Sequence, residues 1–138
     1  MGYEFLNIFF FIFHTLIVLF NITGWIFKAT RKWNLILLLL TGGSWFILGI
    51  WYGWGYCVCT DWHWDVRRKL GYIEESDNYI HFLFLKLTGI NLPGKLVENG
   101  VMIFFVLSLA MSISLNLRDY IQRRKEKRTH TIISRDKE

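Results

Sequence analysis

Three stretches of the sequence, residues 5–27, 34–56 and 100–117, contain no charged side chain. A helix of about 20 apolar residues rises about 30 Å, which is the thickness of the hydrocarbon core of a membrane. The first two stretches reach that length unaided, and flanking residues extend the third. The pattern therefore predicts three transmembrane helices, at about residues 5–27, 34–56 and 97–119.

The loop between the second and third spans, residues 57–96, mixes charged and apolar positions in two short amphipathic patches. In the first patch, Trp62, Val66 and Leu70 share one helical face, and basic residues occupy the others. The second patch repeats apolar residues at helical spacing, namely Ile80, Leu83, Phe84 and Leu87. The sequence thus predicts an all-α integral membrane protein in which two short interfacial amphipathic helices of the outward loop lie on the bilayer surface.

Lysine and arginine residues gather at one end of the predicted bundle. Three lie in the link between the first two spans and eight follow Leu117, against five in the loop between the second and third spans. The positive-inside rule places the link and the tail in the cytoplasm, with the N-terminus and the loop outside. The predicted organisation is one membrane domain, residues 1–121, and a basic cytoplasmic tail, residues 122–138. The net charge of +5 therefore orients helices and does not indicate a nucleic-acid partner.

Polar residues within the spans are expected to face one another, because burying them in lipid is costly unless they pair. We predict an intramembrane polar seam made of Asn7, His14, Asn21, Ser44, Ser108, Ser112 and Asn116. His14, near mid-span, is either a proton-relay or ligand residue, or a neutral imidazole that joins the helices by hydrogen bonds. The second interpretation is favoured, because the charge-free stretches hold no acidic or basic residue to complete a relay.

The start of the outward loop collects side chains that can bind metals: Cys57, Cys59, Asp61 and His63. Thiolate and imidazole suit Cu(I) or Zn²⁺, so copper, zinc or haem is the alternative to having no cofactor. The interpretation without a cofactor is preferred, because the second pair of ligands that closed sites use is missing. The cysteines are then small hydrophobes at a helix end. A redox disulfide is disfavoured, because one intervening residue makes a strained ring.

Three further sets of residues suggest contacts with lipid or protein. Headgroup binding, or a solvated face, is predicted for Arg67, Arg68 and Lys69. An aromatic outer cap that binds lipid or a small ligand would be lined by Trp51, Trp54 and Trp62. Close helix packing in the second span is predicted at Gly42, Gly49 and Gly53.

The stretch 52–64, followed by Val66-Arg67 and Leu70-Gly71, resembles the small bacterial membrane proteins grouped as domain of unknown function 2784. Their pattern is a Gly-Trp-like end to the second span, then Cys-Pro-Leu-Thr, and a few residues later Leu-Arg. Cys57, Thr60 and Arg67 fit that pattern. The resemblance covers about residues 7–120.

The chain departs from this pattern at three positions. Val58 stands where proline is usual, Cys59 where leucine is usual, and His63 near a common glutamate. The version with Thr-Asp-Trp-His-Trp is similar to those of the Bacteroidota. The resemblance implies three or four membrane helices in a bacterial inner membrane, and it implies no reaction.

The preferred function is a non-enzymatic small subunit or accessory protein that packs against a larger membrane partner, or against itself as a homo-oligomer, with lipid around it. The reason is that three helices bury little surface among themselves. Two alternatives stay open. One is metal or thiol handling by Cys57, Cys59 and His63, and the other is lipid or small-ligand binding in the aromatic outer cap.

Overall fold

The computed structural model describes residues 2–53, 55–73 and 79–135, and all regular secondary structure in these ranges is helical. The elements, in chain order, are α1 (Gly2–Thr23), α2 (Arg31–Gly43), a π-helical turn (Ser44–Leu48), α3 (Gly49–Tyr52), α4 (Val58–Lys69), α5 (Tyr79–Thr88) and α6 (Gly94–Arg135).

Three stretches are long and apolar enough to cross a membrane: Gly2–Thr23, Arg31–Tyr52 and Gly94–His130. They confirm the prediction of an all-helical, multi-pass membrane protein with three spans. The second stretch is continuous because the π-helical turn joins α2 to α3 without a break. The third is much longer than predicted, since α6 continues to Arg135. Residues 118–135 contain no glycine or proline and many arginine, lysine, glutamate and glutamine residues, which favour a helix.

The basic end of the bundle is joined by polar contacts between all three spans. Arg31, at the start of α2, forms an ion pair with Asp119 of α6, with Nη1 2.9 Å from Oδ2. Asn116 Nδ2 donates a hydrogen bond of 3.0 Å to the Arg31 carbonyl. Asn34 Nδ2 donates one of 2.7 Å to the Phe20 carbonyl of α1. The link between α1 and α2 and the last part of the third span therefore lie at the same end.

The chain doubles back after the second span. Gly53 follows α3 with φ +105°, a conformation that side chains with a Cβ rarely adopt. Ser44 Oγ then donates a hydrogen bond of 2.9 Å to the Tyr56 carbonyl. Because Ser44 lies eight residues before Tyr52, Tyr56 lies about 12 Å below the end of this span.

α4 runs antiparallel to α1 and alongside it. Its contacts on α1 move from His14 beside Cys57, through Asn7 beside His63, to Tyr3 beside Lys69. A helix lying across the end of the bundle would not follow α1 in this way. The predicted placement of the two short helices on the bilayer surface is therefore not confirmed.

α5 completes a small aromatic core between α1 and α4. The buried members of this core are Trp64, Tyr79, Phe82 and Leu83. Tyr79 is fixed by its hydroxyl, which donates a hydrogen bond of 3.1 Å to the Phe11 carbonyl of α1.

The buried faces of α4 and α5 agree only in part with the predicted amphipathic stripes, in which Val66 and Leu83 are buried. Trp62 is 56% exposed, whereas its neighbours His63 and Trp64 are buried. The hydrogen bond that His63 makes with Asn7 turns that side of α4 toward α1. Leu87, predicted on the apolar face of α5, is exposed.

Candidate functional site

A cavity of about 1570 Å³ lies among the three spans, the residues that double back and α5. Most of its wall is aliphatic or aromatic. Polar side chains that line it include His14, Ser44, Cys57, Cys59, Tyr79 and Ser108. The cavity thus joins a mostly apolar wall to a group of polar residues and thiols, and Glu98 of α6 also lines it.

His14 is held between a thiol and an aromatic ring. Its Nε2 lies 3.9 Å from Cys57 Sγ, and its ring stacks on Tyr79 with centroids 3.8 Å apart and an interplanar angle of 9°. The residue is only 6% exposed, and its Nδ1 is buried without a hydrogen-bond partner among the described residues. His14 lies twelve residues after Gly2, so it is about 18 Å along α1, near the middle of the span.

Cys57 lies at the positive end of a helix. It precedes α4 with extended backbone, at φ −128° and ψ 119°, and is the N-cap residue of that helix. Free amide groups and the helix dipole favour a thiolate at such a position. The fold therefore brings Cys57 to His14, which lies 43 residues earlier in the chain.

Each of the two thiols changes the pKa of the other. A hydrogen bond from Cys59 lowers the pKa of Cys57 well below its ordinary value, and His14 lowers it further, although burial opposes both. The same hydrogen bond, together with burial, raises the pKa of Cys59. The pair thus loses its first proton readily from Cys57 and its second with difficulty from Cys59.

His63 forms its hydrogen bond with Asn7 of α1. Its Nε2 lies 2.9 Å from Asn7 Oδ1, which accepts the hydrogen bond, and its ring packs between aromatic side chains. Burial, together with the charges of Arg67 and His14, lowers the pKa of His63 to about 4. His63 is therefore neutral at pH 7.

The candidate metal ligands contact different partners. Asp61 Oδ2 accepts a hydrogen bond of 3.1 Å from the Tyr56 hydroxyl, and His63 binds Asn7. Within residues 2–53, 55–73 and 79–135, no group of three or more histidine, cysteine, aspartate or glutamate residues could hold a metal ion. Cys57 lies beside His14, and His63 lies beside Asn7.

The predicted polar seam is divided among three places. Four members line the cavity: His14, Asn21, Ser44 and Ser108. Asn7 contacts His63 nearer the start of α1. Ser112 is fully buried toward the basic end, where its carbonyl accepts a hydrogen bond of 2.7 Å from Asn116 Nδ2.

The three glycines predicted to pack helices have different roles. Gly42 lies against the Phe105 ring of α6, where a Cβ would be 3.3 Å from Cζ. Gly49 begins α3, and Gly53 lies in the turn after it rather than on a helix. Gly42 therefore lies at a close contact between α2 and α6.

Arg67 and Arg68, two of the basic residues of α4, have different surroundings. The Arg67 guanidinium carbon lies over three rings, 4.6 Å from the centroid of Phe82, 4.9 Å from that of Tyr72 and 5.7 Å from that of Trp64. Arg68 forms an exposed ion pair with Asp65. Arg67 is therefore part of the aromatic core.

The cavity is not the aromatic outer cap predicted from the sequence. Trp51 and Trp62 are exposed and do not line it, and Trp54 lies outside the described residues. Its aromatic wall includes Trp45 and Tyr79, neither of which the sequence indicates as a site residue. Tyr79 begins the second amphipathic patch, but no periodicity in the sequence connects it to His14.

A family model described as "Protein of Unknown function (DUF2784)" matches residues 4–117. The matched region contains every residue of the His14 and Cys57 site. Searches of the curated proteins and of the solved structures gave no match to this chain.

Proposed function

Because the chain belongs to the DUF2784 family, whose function is unknown, we propose a function from the cavity itself: binding of a long-chain apolar molecule between the spans. Pockets for drug-sized molecules measure about 300–1,000 Å³. The observation that carries this proposal is the larger volume, about 1570 Å³, of a cavity with a mostly apolar wall. Membrane lipids are the class of molecule with chains of that size.

The polar residues of the cavity limit which polar groups the bound molecule can carry. His14, Ser44 and Ser108 can donate or accept hydrogen bonds near the middle of the spans. A charged headgroup would need a charge partner at that depth. The proposed ligand therefore has long apolar chains and places at most a neutral polar group beside these residues.

Native mass spectrometry of the protein, released from a mild detergent, tests this proposal. We expect a bound molecule of lipid mass on the wild-type protein. The double variant Val18→Trp/Val101→Trp adds two indoles to the cavity wall, and we expect it to lose most of that bound mass. Two substitutions are used because one side chain is small beside the cavity.

The matched control is Leu16→Trp/Val106→Trp, which places the same side chains on exposed positions of α1 and α6 that do not line the cavity. We expect this variant to retain the bound lipid. Equal lipid binding by both double variants, or a wild-type protein with no bound lipid, would contradict the proposal.

We further propose that the protein lies in a bacterial inner membrane, with the N-terminus outside and the end of α6 in the cytoplasm. The Arg31 and Asp119 ion pair supports this orientation, because it puts the basic link and the basic part of α6 at one end. α4 then extends from mid-membrane to the outer surface. A reporter fused after residue 138 that is active only outside the cell would reverse the orientation.

The subunit or accessory role is the second candidate. It is favoured by the same cavity, because a helix from a membrane partner or from a second copy could fill an open apolar space between spans. The mass spectrum separates the candidates, since a subunit would retain a second polypeptide or form a dimer. We expect the lipid-bound monomer.

A further inference from the structure

The wall of the cavity carries a buried ring nitrogen that has no hydrogen-bond partner among the described residues. His14 is more than nine-tenths buried, lines the cavity, and has no hydrogen-bond partner for Nδ1 among the described residues. An unpaired polar nitrogen is costly in a place that lipid surrounds. A ligand with a neutral hydrogen-bonding group at this depth would satisfy it.

Two thiols line the same part of the cavity. Cys57 Sγ lies 3.9 Å from His14 Nε2, and Cys59 lines the wall two residues further along the chain. Residues two apart have Cα atoms no more than about 7 Å apart, which is close to the spacing that a disulfide requires. Both cysteines are free. They can therefore supply two electrons together at the position of the ligand's polar group.

Few lipids have a neutral polar group that also accepts electrons. Quinones with an isoprenoid chain do, because their ring carries two carbonyl oxygens and their tail is apolar. Their carbonyl oxygens accept hydrogen bonds, which a protonated imidazole nitrogen donates. We propose that the cavity binds an isoprenoid quinone with its ring beside His14, and that Cys57 and Cys59 reduce this quinone while forming a disulfide with each other. This inference rests on the proposed binding function.

The reaction balances within the site. The sulfur–hydrogen bonds of Cys57 and Cys59 are broken and one sulfur–sulfur bond forms, so the thiols lose two electrons and two protons. The quinone gains both electrons and both protons, and an oxygen–hydrogen bond forms at each carbonyl oxygen. His14 is the positioning residue that accepts the proton of Cys57 and donates it toward the ring.

The local electrostatics agree with this order of events. The lowered pKa of Cys57 supplies a thiolate, which is the reactive form of the residue. The raised pKa of Cys59 keeps the second proton until the disulfide forms. A disulfide in so small a ring is strained, and strained disulfides have high reduction potentials. A strong oxidant such as a quinone therefore favours its formation.

The test uses the full chain, reduced and incorporated into nanodiscs, and mixed without oxygen with decylubiquinone. Quinone reduction is followed by ultraviolet absorbance, and thiol oxidation by the mass of the protein after alkylation. We expect one hydroquinone for each disulfide between Cys57 and Cys59. Cys57→Ser and Cys59→Ser should each abolish the reaction.

His14→Phe keeps a ring to stack on Tyr79 but removes both nitrogens, and we expect at least a tenfold slower reaction. His130→Phe, at an exposed position near the end of α6, is the matched control and should react like the wild type. Cys59→Ser changes one atom, so it tests the second thiol even if His14→Phe fails to fold. Full quinone reduction by Cys59→Ser, or disulfides only between molecules, would overturn the proposal.

The two proposals fail in different ways. Wild-type protein that retains lipid in its native mass spectrum but leaves decylubiquinone oxidised would overturn the redox assignment alone. The cavity-binding proposal would be overturned by two results together: no bound lipid on the wild-type protein, and a quinone reaction that is unchanged in the Val18→Trp/Val101→Trp variant.

Discussion

Substituting alanine for Gly24 adds one methyl group just after α1, against Asn34 of α2. A Cβ at this position would lie 2.7 Å from the Phe20 carbonyl oxygen, 2.9 Å from Asn34 Nδ2 and 3.0 Å from Asn34 Cβ. These contacts are shorter than atoms of this kind tolerate. Asn34 is fully buried, and its Nδ2 donates a hydrogen bond of 2.7 Å to that same carbonyl, so it cannot move aside without losing the bond.

The expected cost follows from two unfavourable effects and one favourable effect. Forcing extra atoms into a well-packed site costs about 1–3 kcal/mol, and disturbing the hydrogen bond of Asn34 costs about 0.5–1.5 kcal/mol. Alanine also restricts the unfolded chain, which offsets about 0.4–1 kcal/mol. We therefore expect Gly24→Ala to destabilise the protein by about 1–3 kcal/mol, which changes the unfolding equilibrium by a factor of about 5 to 150.

Reversible unfolding in mixed micelles with increasing dodecyl sulfate, followed by tryptophan fluorescence, measures this difference. The matched control is Gly43→Ala at the end of α2, where the nearest atom to a Cβ is Ile47 Cδ1 at 3.9 Å, an ordinary contact. We expect this control to be neutral or stabilised by up to about 1 kcal/mol. If Gly24→Ala unfolds like the wild type, or both variants lose the same stability, the close approach of α1 and α2 is not as described.

Two further substitutions test the packing of α4 on α1. Asn7→Ala should cost about 1–3 kcal/mol, because it leaves Nε2 of the buried His63 without a partner. Asn91→Ala, which removes an exposed hydrogen bond to His81, should change stability by less than about 0.5 kcal/mol in the same assay. Because the pKa of His63 is lowered to about 4 and that of an unfolded histidine is about 6.5, stability should be complete above pH 6.5 and fall as the pH drops toward 4. His63→Gln should lose this dependence, and an unchanged pH profile in that variant would show that another group titrates.

The spans were predictable because the bilayer requires long uncharged helices, whatever packs around them. Their ends were less predictable. α1 ends at Thr23 because the following glycine allows close packing of Asn34, which hydropathy does not report. The tail was assigned by charge, whereas its backbone follows helix propensity and continues α6 to Arg135.

The sequence predicts the residues of the candidate site but not which of them contact each other. Cys57 and His14 are both candidate site residues in the sequence, each because of its own local pattern. The sequence predicts that Cys57 and His63 lie together, because they are only six residues apart and a sequence does not give distances in space. The turn at Gly53 instead brings the Cys57 thiol to the middle of α1, and His63 forms a hydrogen bond with Asn7. Long-range pairing of this kind depends on the path of the chain, which periodicity does not encode.

The length of α6 affects how the protein presents itself to the cell. Its 42 residues extend about 63 Å, roughly twice the hydrocarbon thickness of a membrane. Nearly half of it therefore projects into water as a stiff rod that carries basic side chains along its sides. A protein that recognises this rod would be held at a fixed distance from the lipid surface, and would not sample the wide volume that a flexible tether of the same number of residues allows.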